Sequence, residues 1–440
     1  MSEKVNMSET KEGEYNPYEH RKVLKPSSDF RATANIIKAS LGSGLLAGPL
    51  AFSNSGWAIG IIGTFLIGII CGHCIHILVK TSRGCCKIEK KPQLNYAETC
   101  QSAFANGPKC LRRYAKTASI IAEFSLLSTY VGVCCIYTVL ISDSIKQLID
   151  RYVPGVVLPV EYYCLIILVP LCLLCQVKYL KWLAIFSLLA NLFLVATYVI
   201  CLYYIFGDEI NFSDKKIVGD PARLPAFMST VIFAMEGIGL VMPVENAMKK
   251  PQNFLGCPSV LVVAMSAIVF FYSTLGLFGY FRYGDLARGS ITLNLPIDDW
   301  PAICAKGCIA LSIFFTYPLQ FYVVFDIFKR YTDRHVKDNC RTFIDIGGRV
   351  LGVCFCVGIG VALPLLEQII NLVGACFYSI LGLIIPGIVE TVFRWKDLGF
   401  LKWVLLKNIL IVVFGFTCLI SGCTVTVMDI IEILHNKTVM

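Results

Sequence analysis

The stretch Ser40–Leu50, "SLGSGLLAGPL", carries three glycines and one proline inside a hydrophobic segment long enough to span a membrane. Glycine weakens a helix and proline removes one of its hydrogen bonds, so this stretch predicts an interrupted backbone. N–H and C=O groups exposed at membrane depth must face a binding partner or a water-filled cavity. The interruption is therefore either a tolerated kink or part of a binding site.

The composition around this stretch is that of an integral membrane protein. The chain has 440 residues, of which 56% are hydrophobic and 16% are charged, and its mean hydropathy is +0.68. A soluble protein of this length needs more charge to cover its surface. The apolar runs are continuous, whereas the strands of an outer-membrane barrel alternate. We therefore predict an all-α polytopic membrane protein, without a removable signal peptide because a polar tail precedes the first run.

The apolar runs predict eleven transmembrane helices, the fourth of them short. A polar tail, 1–32, precedes a transmembrane transporter domain, 33–433, and a short tail, 434–440, follows it. The predicted spans cover residues 33–53, 58–79, 117–142, 162–177, 182–206, 226–244, 257–281, 301–328, 343–363, 365–392 and 402–433.

Positive charge predicts the orientation of these spans. If the N-terminus is cytosolic, 29 of the 39 lysines and arginines fall on the cytosolic side and nine fall on the other. This asymmetry follows the positive-inside rule, so the C-terminus is expected to be exterior or lumenal. The glycosylation sequons at Asn211 and Asn436 both fall on the exterior side of this topology. The net charge of +9 therefore reports topology and gives no reason to expect a nucleic-acid partner.

The 21 cysteines do not predict a metal or redox centre. "CGHC" at Cys71–Cys74 has metal-ligand spacing and contains His73, yet it lies in a predicted span without a second ligand pair. We interpret the cysteines as small apolar packing residues. His73 and His76 are interpreted as structural histidines rather than proton carriers, and no metal or other cofactor is expected.

A motif similar to the one at 42–49 occurs 195 residues downstream. "GSGLLAGP" at 42–49 is matched by "GIGLVMP" at 237–243, with glycines in register and a proline at each end. The first lies in span one and the second in span six. Interruptions at matching positions of two five-helix halves are typical of inverted-repeat transporters with discontinuous helices 1 and 6. We predict repeats over about 33–206 and 226–392, with 402–433 as an additional helix.

Broken helices suggest the ligand. A half-helix N-terminus offers N–H donors to a carboxylate, and free carbonyl groups suit an ammonium, so an α-amino acid is the simplest ligand. Glu236 precedes the second motif, and a carboxylate at mid-membrane is a functional candidate. It either binds the ammonium, accepts a coupling proton or holds the unwound segment. Glu123 in span three is interpreted as a second buried acid, which either makes a hydrogen bond in the bundle interior or takes part in coupling. Lys38 is expected to extend its ammonium to the interface.

The sequence resembles the proton-coupled amino acid transporter family of the amino acid/auxin permease superfamily, in its insect branch. The resemblance runs from about residue 30 to 393 and implies eleven spans, the 5+5 inverted fold of bacterial leucine transporters, and small neutral amino acids as substrates. The blocks that carry it are "NIIKASLGSGLLAGPLAFSNSGW", "HCIHILVK", "GVCCIYTVL", "LAIFSLLANLF", "IFAMEGIGLVMPVENAMKKPQNF", "GYFRYGD", "GSITLNLP", "FFTYPLQFYV" and "NLVGACFYSILGLIIPGIVE".

The resemblance also implies site residues. Gly42, Ser43 and Gly44 would hold the substrate carboxylate. The broken sixth span and the eighth span would add wall positions, namely Phe233, Ala234, Glu236, Gly237, Thr316 and Tyr317. Proton-coupled members place a histidine where this chain has Asn35, and asparagine does not titrate near neutral pH. The coupling candidates are therefore Asn35, Glu123 and Glu236, and strict proton coupling is in doubt.

The predicted function is secondary transport of small neutral amino acids by alternating access, with protons as a second ligand if coupling is retained. A proton-independent facilitator or an amino acid sensor on the same scaffold is the alternative. We find no paired catalytic acids, nucleophile motif or selectivity-filter repeat, so neither an enzyme nor a channel is expected. The predicted location is the plasma membrane or a lysosomal or endosomal membrane.

Overall fold

The computed structural model describes residues 15–21, 23, 26–40, 42–153, 155, 158–177, 180–207, 214–235, 237–332 and 341–439. These residues are almost entirely helical, with a single isolated β-bridge between Ser27 and Met248. The helices are α1 Asp29–Ser40, α2 Ser43–Leu46, α3 Gly48–Ser55, α4 Trp57–Glu89, α5 Tyr96–Ala105, α6 Ala115–Tyr152, α7 Val160–Cys175, α8 Leu180–Phe206, α9 Leu224–Met235, α10 Ile238–Asn246, α11 Val260–Tyr283, α12 Trp300–Thr332, α13 Arg341–Ala362, α14 Leu366–Leu372, a π-helical segment Val373–Ile384, α15 Ile385–Phe393 and α16 Trp403–Val439.

Nine helical stretches of the described chain are long and apolar enough to cross a membrane. The two other predicted spans do not reach that length as single helices. The first is divided into α1, α2 and α3, and the fourth, α7, has 16 residues. The all-helical membrane class is therefore confirmed, whereas the number eleven stays a prediction.

The first predicted span is interrupted where its glycines lie. α1 ends at Ser40, and Gly42 precedes the four-residue helix α2 without a side-chain cap. Gly48 brings α3 close to α11, because a Cβ added at Gly48 would lie 3.1 Å from the Cα of Gly276. Pro49 falls in the first turn of α3, where its missing N–H costs no helical hydrogen bond.

The sixth predicted span is interrupted as well. α9 ends at Met235, and Gly237 precedes α10, which contains Pro243. Glu236 lies outside the described residues. Both interruptions therefore fall at the paired glycine motifs, while the inverted symmetry of the two halves stays a prediction.

The bundle has two faces, which we name by the chain segments they carry. The N-terminal face holds residues 15–28 and the end of α10. The chain from the start of α9 to the end of α10 has about 22 residues, which correspond to about 33 Å of helix. α9 therefore begins at the opposite face. There Arg223 pairs with Asp429 near the end of α16. The described part of the chain therefore begins at one face and ends at the other.

Candidate functional site

A small cavity lies where the two interrupted helices meet. It has a volume of about 20 Å³, and we call it the central cavity. The residues around it come from α1, α2, α6, α9, α12 and the π-helical segment; they are Ser40, Gly42, Ser43, Gly44, Val133, Tyr137, Phe233, Gln320 and Tyr378.

The first interruption supplies backbone rather than side chains to this cavity. A Cβ added at Gly44 would lie 2.8 Å from the Cα of Ala234, so the two broken helices touch through main-chain atoms. A Cβ added at Gly42 would lie 3.1 Å from the hydroxyl of Tyr137. The first N–H groups of a helix have no partner within the helix, so α2 presents donors at this point.

Two polar atoms at the central cavity lack partners. Ser40 Oγ and Gln320 Oε1 are buried, and neither has a hydrogen-bond partner among the residues that the structure describes. The other end of the Gln320 amide donates to the Tyr137 hydroxyl at 3.4 Å. A buried polar group without a partner costs about 1–3 kcal/mol. These oxygen atoms are therefore available to a ligand that donates hydrogen bonds.

Aromatic rings form the apolar wall of the central cavity. Phe233 of α9 and Tyr378 of the π-helical segment lie with ring centroids 5.9 Å apart in an edge-to-face arrangement. The π-helical segment also packs closely against α9, because a Cβ at Gly374 would overlap the carbonyl of Ser229. Single π-helical turns occur frequently at functional sites, and here the segment brings Tyr378 to the cavity.

A second cavity of about 10 Å³ adjoins the first, since Gly42 and Tyr137 line both. Lys38, Asn191 and Thr316 are among its other residues. The expectation that Lys38 extends to the interface is therefore wrong, because its half-buried side chain turns into the bundle.

The structure places some of the predicted site residues at the central cavity and others elsewhere. Gly42, Ser43, Gly44 and Phe233 line it, and Ala234 contacts Gly44. The remaining predicted residues lie apart from it. Thr316 lines the second cavity, Tyr317 is buried against Phe321, Gly237 begins α10, and Glu236 falls outside the described residues.

Two coupling candidates line neither of the two small cavities. Asn35 is exposed on α1 and lines neither small cavity. Glu123 does not make a bundle-interior hydrogen bond; its half-exposed carboxylate pairs with Arg330 at 3.5 Å and lines a different cavity. The interpretation of Glu123 as a buried acid is wrong because its position on α6 faces the rim of that cavity.

Sequence reasoning missed Ser40, Tyr137, Gln320 and Tyr378 as site residues. The last three lie inside "GVCCIYTVL", "FFTYPLQFYV" and "NLVGACFYSILGLIIPGIVE", three blocks that carry the family resemblance. A polar side chain in an otherwise apolar span is itself a signal of a functional position. Which of the many tyrosines faces the cavity depends on helix rotation, and the helices here have weak amphipathic patterns.

A group of charged residues closes the N-terminal face, and we call Arg21, Arg83 and Glu245 the latch cluster. Arg21 Nη1 donates to Glu245 Oε2 at 3.0 Å, and Arg83 Nε donates to Glu245 Oε1 at 3.1 Å. The Glu245 side chain is only 2% exposed. The Tyr18 ring lies against both guanidinium groups, and burial raises the pKa of its hydroxyl, an effect that the nearby Arg83 opposes.

Backbone hydrogen bonds reinforce the latch cluster. The N–H of Ser27 donates to the carbonyl of Ala247 at 2.8 Å, and the N–H of Lys249 donates to the carbonyl of Ser27 at 2.8 Å. Asn253 Nδ2 also donates to Asp29 Oδ2 at 2.6 Å. The start of the first broken helix is thus tied to the end of the second one.

The opposite face carries a polar pocket of about 520 Å³ above α3, which we call the vestibule. Leu50 and Asn54 of α3 line its floor, and charged residues form most of the rest of its wall. Lys216 and Asp285 form an exposed ion pair at 3.1 Å, and the half-exposed Arg223 pairs at 2.7 Å with Asp429, whose side chain is 15% exposed. The site region is therefore shut at one face and approached by a wide polar pocket from the other.

The residues described here hold no group of three or more His, Cys, Asp and Glu side chains that could bind a metal ion. His73 and His76 lie with parallel rings 6.3 Å apart and line an apolar crevice between α4 and α11. The buried cysteines of the described chain are free thiols within the helical core.

Comparison with known proteins identifies the family. The profile described as "Transmembrane amino acid transporter protein" matches residues 25–428. The proton-coupled amino acid transporter-like protein pathetic of Drosophila melanogaster is 37% identical over 428 residues, which are 96% of this chain and 90% of that protein. Vacuolar amino acid transporter 4 of Saccharomyces cerevisiae is 28% identical over 74% of this chain and 46% of the yeast protein. A Na⁺-coupled sialic acid symporter in a substrate-bound outward-open state has a TM-score of 0.49 at 14% identity, covering 91% of this chain and 90% of its own, too low for an argument about fold.

Proposed function

Because the chain belongs to the transmembrane amino acid transporter family, we propose that it moves small neutral amino acids across a membrane by alternating access. Members of this family are transporters, so family membership confirms the prediction that the chain is not an enzyme. The observation that carries the proposal is the central cavity, where two interrupted helices meet beside unpaired buried oxygen atoms.

An α-amino acid matches the chemistry of this cavity. Its carboxylate suits the N–H groups at Gly42, Ser43 and Gly44, where α2 begins. Its ammonium donates to Ser40 Oγ and Gln320 Oε1. These groups stand beside an apolar wall of aromatic rings. The cavity of about 20 Å³ has room for about one water molecule, so the surrounding helices must separate before an amino acid is enclosed, and a small side chain requires the least separation. Together these features favour small neutral substrates.

Alternating access is supported by the different closure of the two faces. The vestibule leads toward α3, while the latch cluster and the Ser27 hydrogen bonds shut the N-terminal face. We place that face in the cytosol, following the distribution of positive charge. Release into the cytosol then requires the latch cluster to open.

The proposed topology has eleven helices, with a 1–32 cytosolic tail, a 33–433 transporter domain and a 434–440 exterior or lumenal tail. Repeats of five helices, about 33–206 and 226–392, and one extra helix complete it. Asn436 is exposed near the end of α16, and Asn211 lies outside the described residues; both are proposed glycosylation sites. The membrane is the plasma membrane or, as the name of the yeast relative suggests, a lysosomal or endosomal one.

Coupling to protons is proposed to be weak or absent. The exposed Asn35 cannot titrate, and Glu123 lies away from the central cavity. Uptake measured at roughly pH 5.5 and pH 7.5, with recorded current, is expected to change little, which favours a proton-independent facilitator over a symporter. A large proton-linked current would contradict this and would leave Glu236 as the remaining coupling candidate.

The central test is Gly44→Val in reconstituted vesicles. The valine side chain would meet Ala234 at 2.8 Å and push the broken helices apart, so amino acid uptake is expected to be abolished. Gly358→Val is the matched control, because nothing lies within 4 Å of a Cβ at Gly358. Both variants should reach the membrane. Retained uptake by a well-expressed Gly44→Val protein would refute the site.

A further inference from the structure

A cavity much larger than the central one lies apart from it. It has a volume of about 740 Å³ and is enclosed by α5, α6, α12 and α13 on the side of the N-terminal face. We call it the lateral cavity. It shares no lining residue with the central cavity or the vestibule.

The walls of the lateral cavity are apolar and continue onto the outer surface of the bundle. Leu127, Phe321 and Val324 line its interior, and Leu351 and Phe355 line its outer edge. The Leu351 side chain is 72% exposed. Exposed side chains of this kind on a membrane helix face lipid, so the cavity opens sideways into the bilayer.

The charged residues that line the lateral cavity are Glu98, Glu123 and Arg330, and an ion pair between two of them stands at its mouth. Arg330 Nη1 lies 3.5 Å from Glu123 Oε1, and both side chains are more than a third exposed. An ion pair this exposed contributes little to stability, so a charged ligand can replace it at small cost. Along α6, Glu123 and Val131 are separated by eight residues, or about 12 Å of helix. The cavity therefore combines a charged entrance with an apolar interior.

We propose that the lateral cavity binds a phospholipid with a primary-amine headgroup, of the phosphatidylethanolamine class. Arg330 binds the phosphate, for which a guanidinium is suited, and Glu123 accepts hydrogen bonds from the ammonium. An acyl chain occupies the apolar interior between α6, α12 and α13. In this lipid the phosphate and the ammonium are two carbons apart, which matches neighbouring opposite charges at the mouth.

The charges select among lipids. A choline headgroup carries no N–H to donate to Glu123, and the extra carboxylate of a serine headgroup would face Glu123 and Asp326, which also contacts Arg330. The volume of the lateral cavity, about 740 Å³, is typical of binding sites for ligands much larger than one small amino acid.

Native mass spectrometry of the purified, delipidated protein with added phosphatidylethanolamine or phosphatidylcholine tests the proposal. Leu351→Trp should narrow the outer edge of the cavity and reduce the amount of bound lipid. Leu173→Trp is its control, because Leu173 is similarly exposed on α7 but does not line the cavity. Glu123→Gln keeps the shape and should reduce the preference for ethanolamine over choline by about two- to fivefold.

Thermal unfolding of each variant shows whether it is folded, and binding is compared only among folded proteins. Equal lipid retention in Leu351→Trp and Leu173→Trp would overturn the proposal, as would an unchanged headgroup preference in Glu123→Gln. Loss of bound amino acid, rather than lipid, on Leu351→Trp would also overturn it and would make the cavity an amino acid site. Amino acid uptake, which tests the central cavity, is measured separately and does not decide whether the lateral cavity binds lipid.

Discussion

The two faces of the protein hold their charges in opposite ways. At the N-terminal face, one glutamate between two arginines is buried, and each guanidinium also bonds a backbone carbonyl, of Pro92 or Pro251. At the vestibule, the Lys216–Asp285 pair joins side chains that are 59% and 63% exposed. Both sets connect segments next to the broken helices.

This difference indicates which face is held shut. Breaking a buried ion pair leaves an uncompensated charge, whereas exposed pairs are screened and exchange easily with water. Under the alternating access proposed above, we therefore interpret the latch cluster as the gate that must open for release. The exposed Lys216–Asp285 pair can re-form in many geometries, so we expect substrate to enter from the vestibule.

Among the substitutions that test this difference between the two faces, Glu245→Ala should have the largest effect. It leaves Arg21 and Arg83 buried without their carboxylate, which costs about 3–5 kcal/mol. We expect a large fall in thermal stability and faster hydrogen exchange of residues 15–29. Unchanged exchange in this segment would mean that the latch cluster does not hold the face shut.

A smaller effect is expected for Arg21→Lys. Lysine keeps the charge beside Glu245 but cannot also reach the carbonyl of Pro92, which Arg21 Nε now binds at 2.8 Å. Losing one hydrogen bond of a charged group costs about 1.5–3 kcal/mol. Thermal unfolding should rank this variant between the wild type and Glu245→Ala, and a loss equal to that of Glu245→Ala would contradict the role of the carbonyl.

The smallest effects should come from the vestibule. Arg223→Gln removes the 2.7 Å pair with Asp429, and Lys216→Gln removes the 3.1 Å pair with Asp285. Each should cost about 0–1 kcal/mol, and added salt should erase the difference from the wild type. A salt-resistant loss as large as that of Arg21→Lys would show that the vestibule is also a gate.

Much of the fold was predictable because the bilayer constrains it. Continuous apolar runs of membrane length admit helices, and the Gly42–Pro49 and Gly237–Pro243 motifs located both interruptions. The length of α7, 16 residues, is short for a span and does not show whether this helix crosses the membrane. The number of crossings depends on tilt and on neighbouring helices, which a hydropathy pattern does not record.

Residues of the candidate site could be predicted where an interrupted backbone marks them. They could not be predicted where the rotation of a helix decides which side chain faces the cavity. Gly42 and Gly44 were predicted from the interrupted backbone and the family resemblance, and both line the central cavity. Gln320 was missed because α12 carries several polar residues, and the rotation of the helix decides which of them faces the cavity. The latch cluster was missed because Arg21 and Glu245 are 224 residues apart and meet only after folding.

The central claim is that the two interrupted segments bind the amino acid together. Hydrogen exchange with and without a small neutral amino acid tests it most directly, because the ligand would contact backbone N–H groups. We predict that peptides covering 40–50 and 233–245 become protected together, and that this protection disappears in Gly44→Val but not in Gly358→Val. Binding that leaves both segments unprotected, or protects only one, would contradict the account.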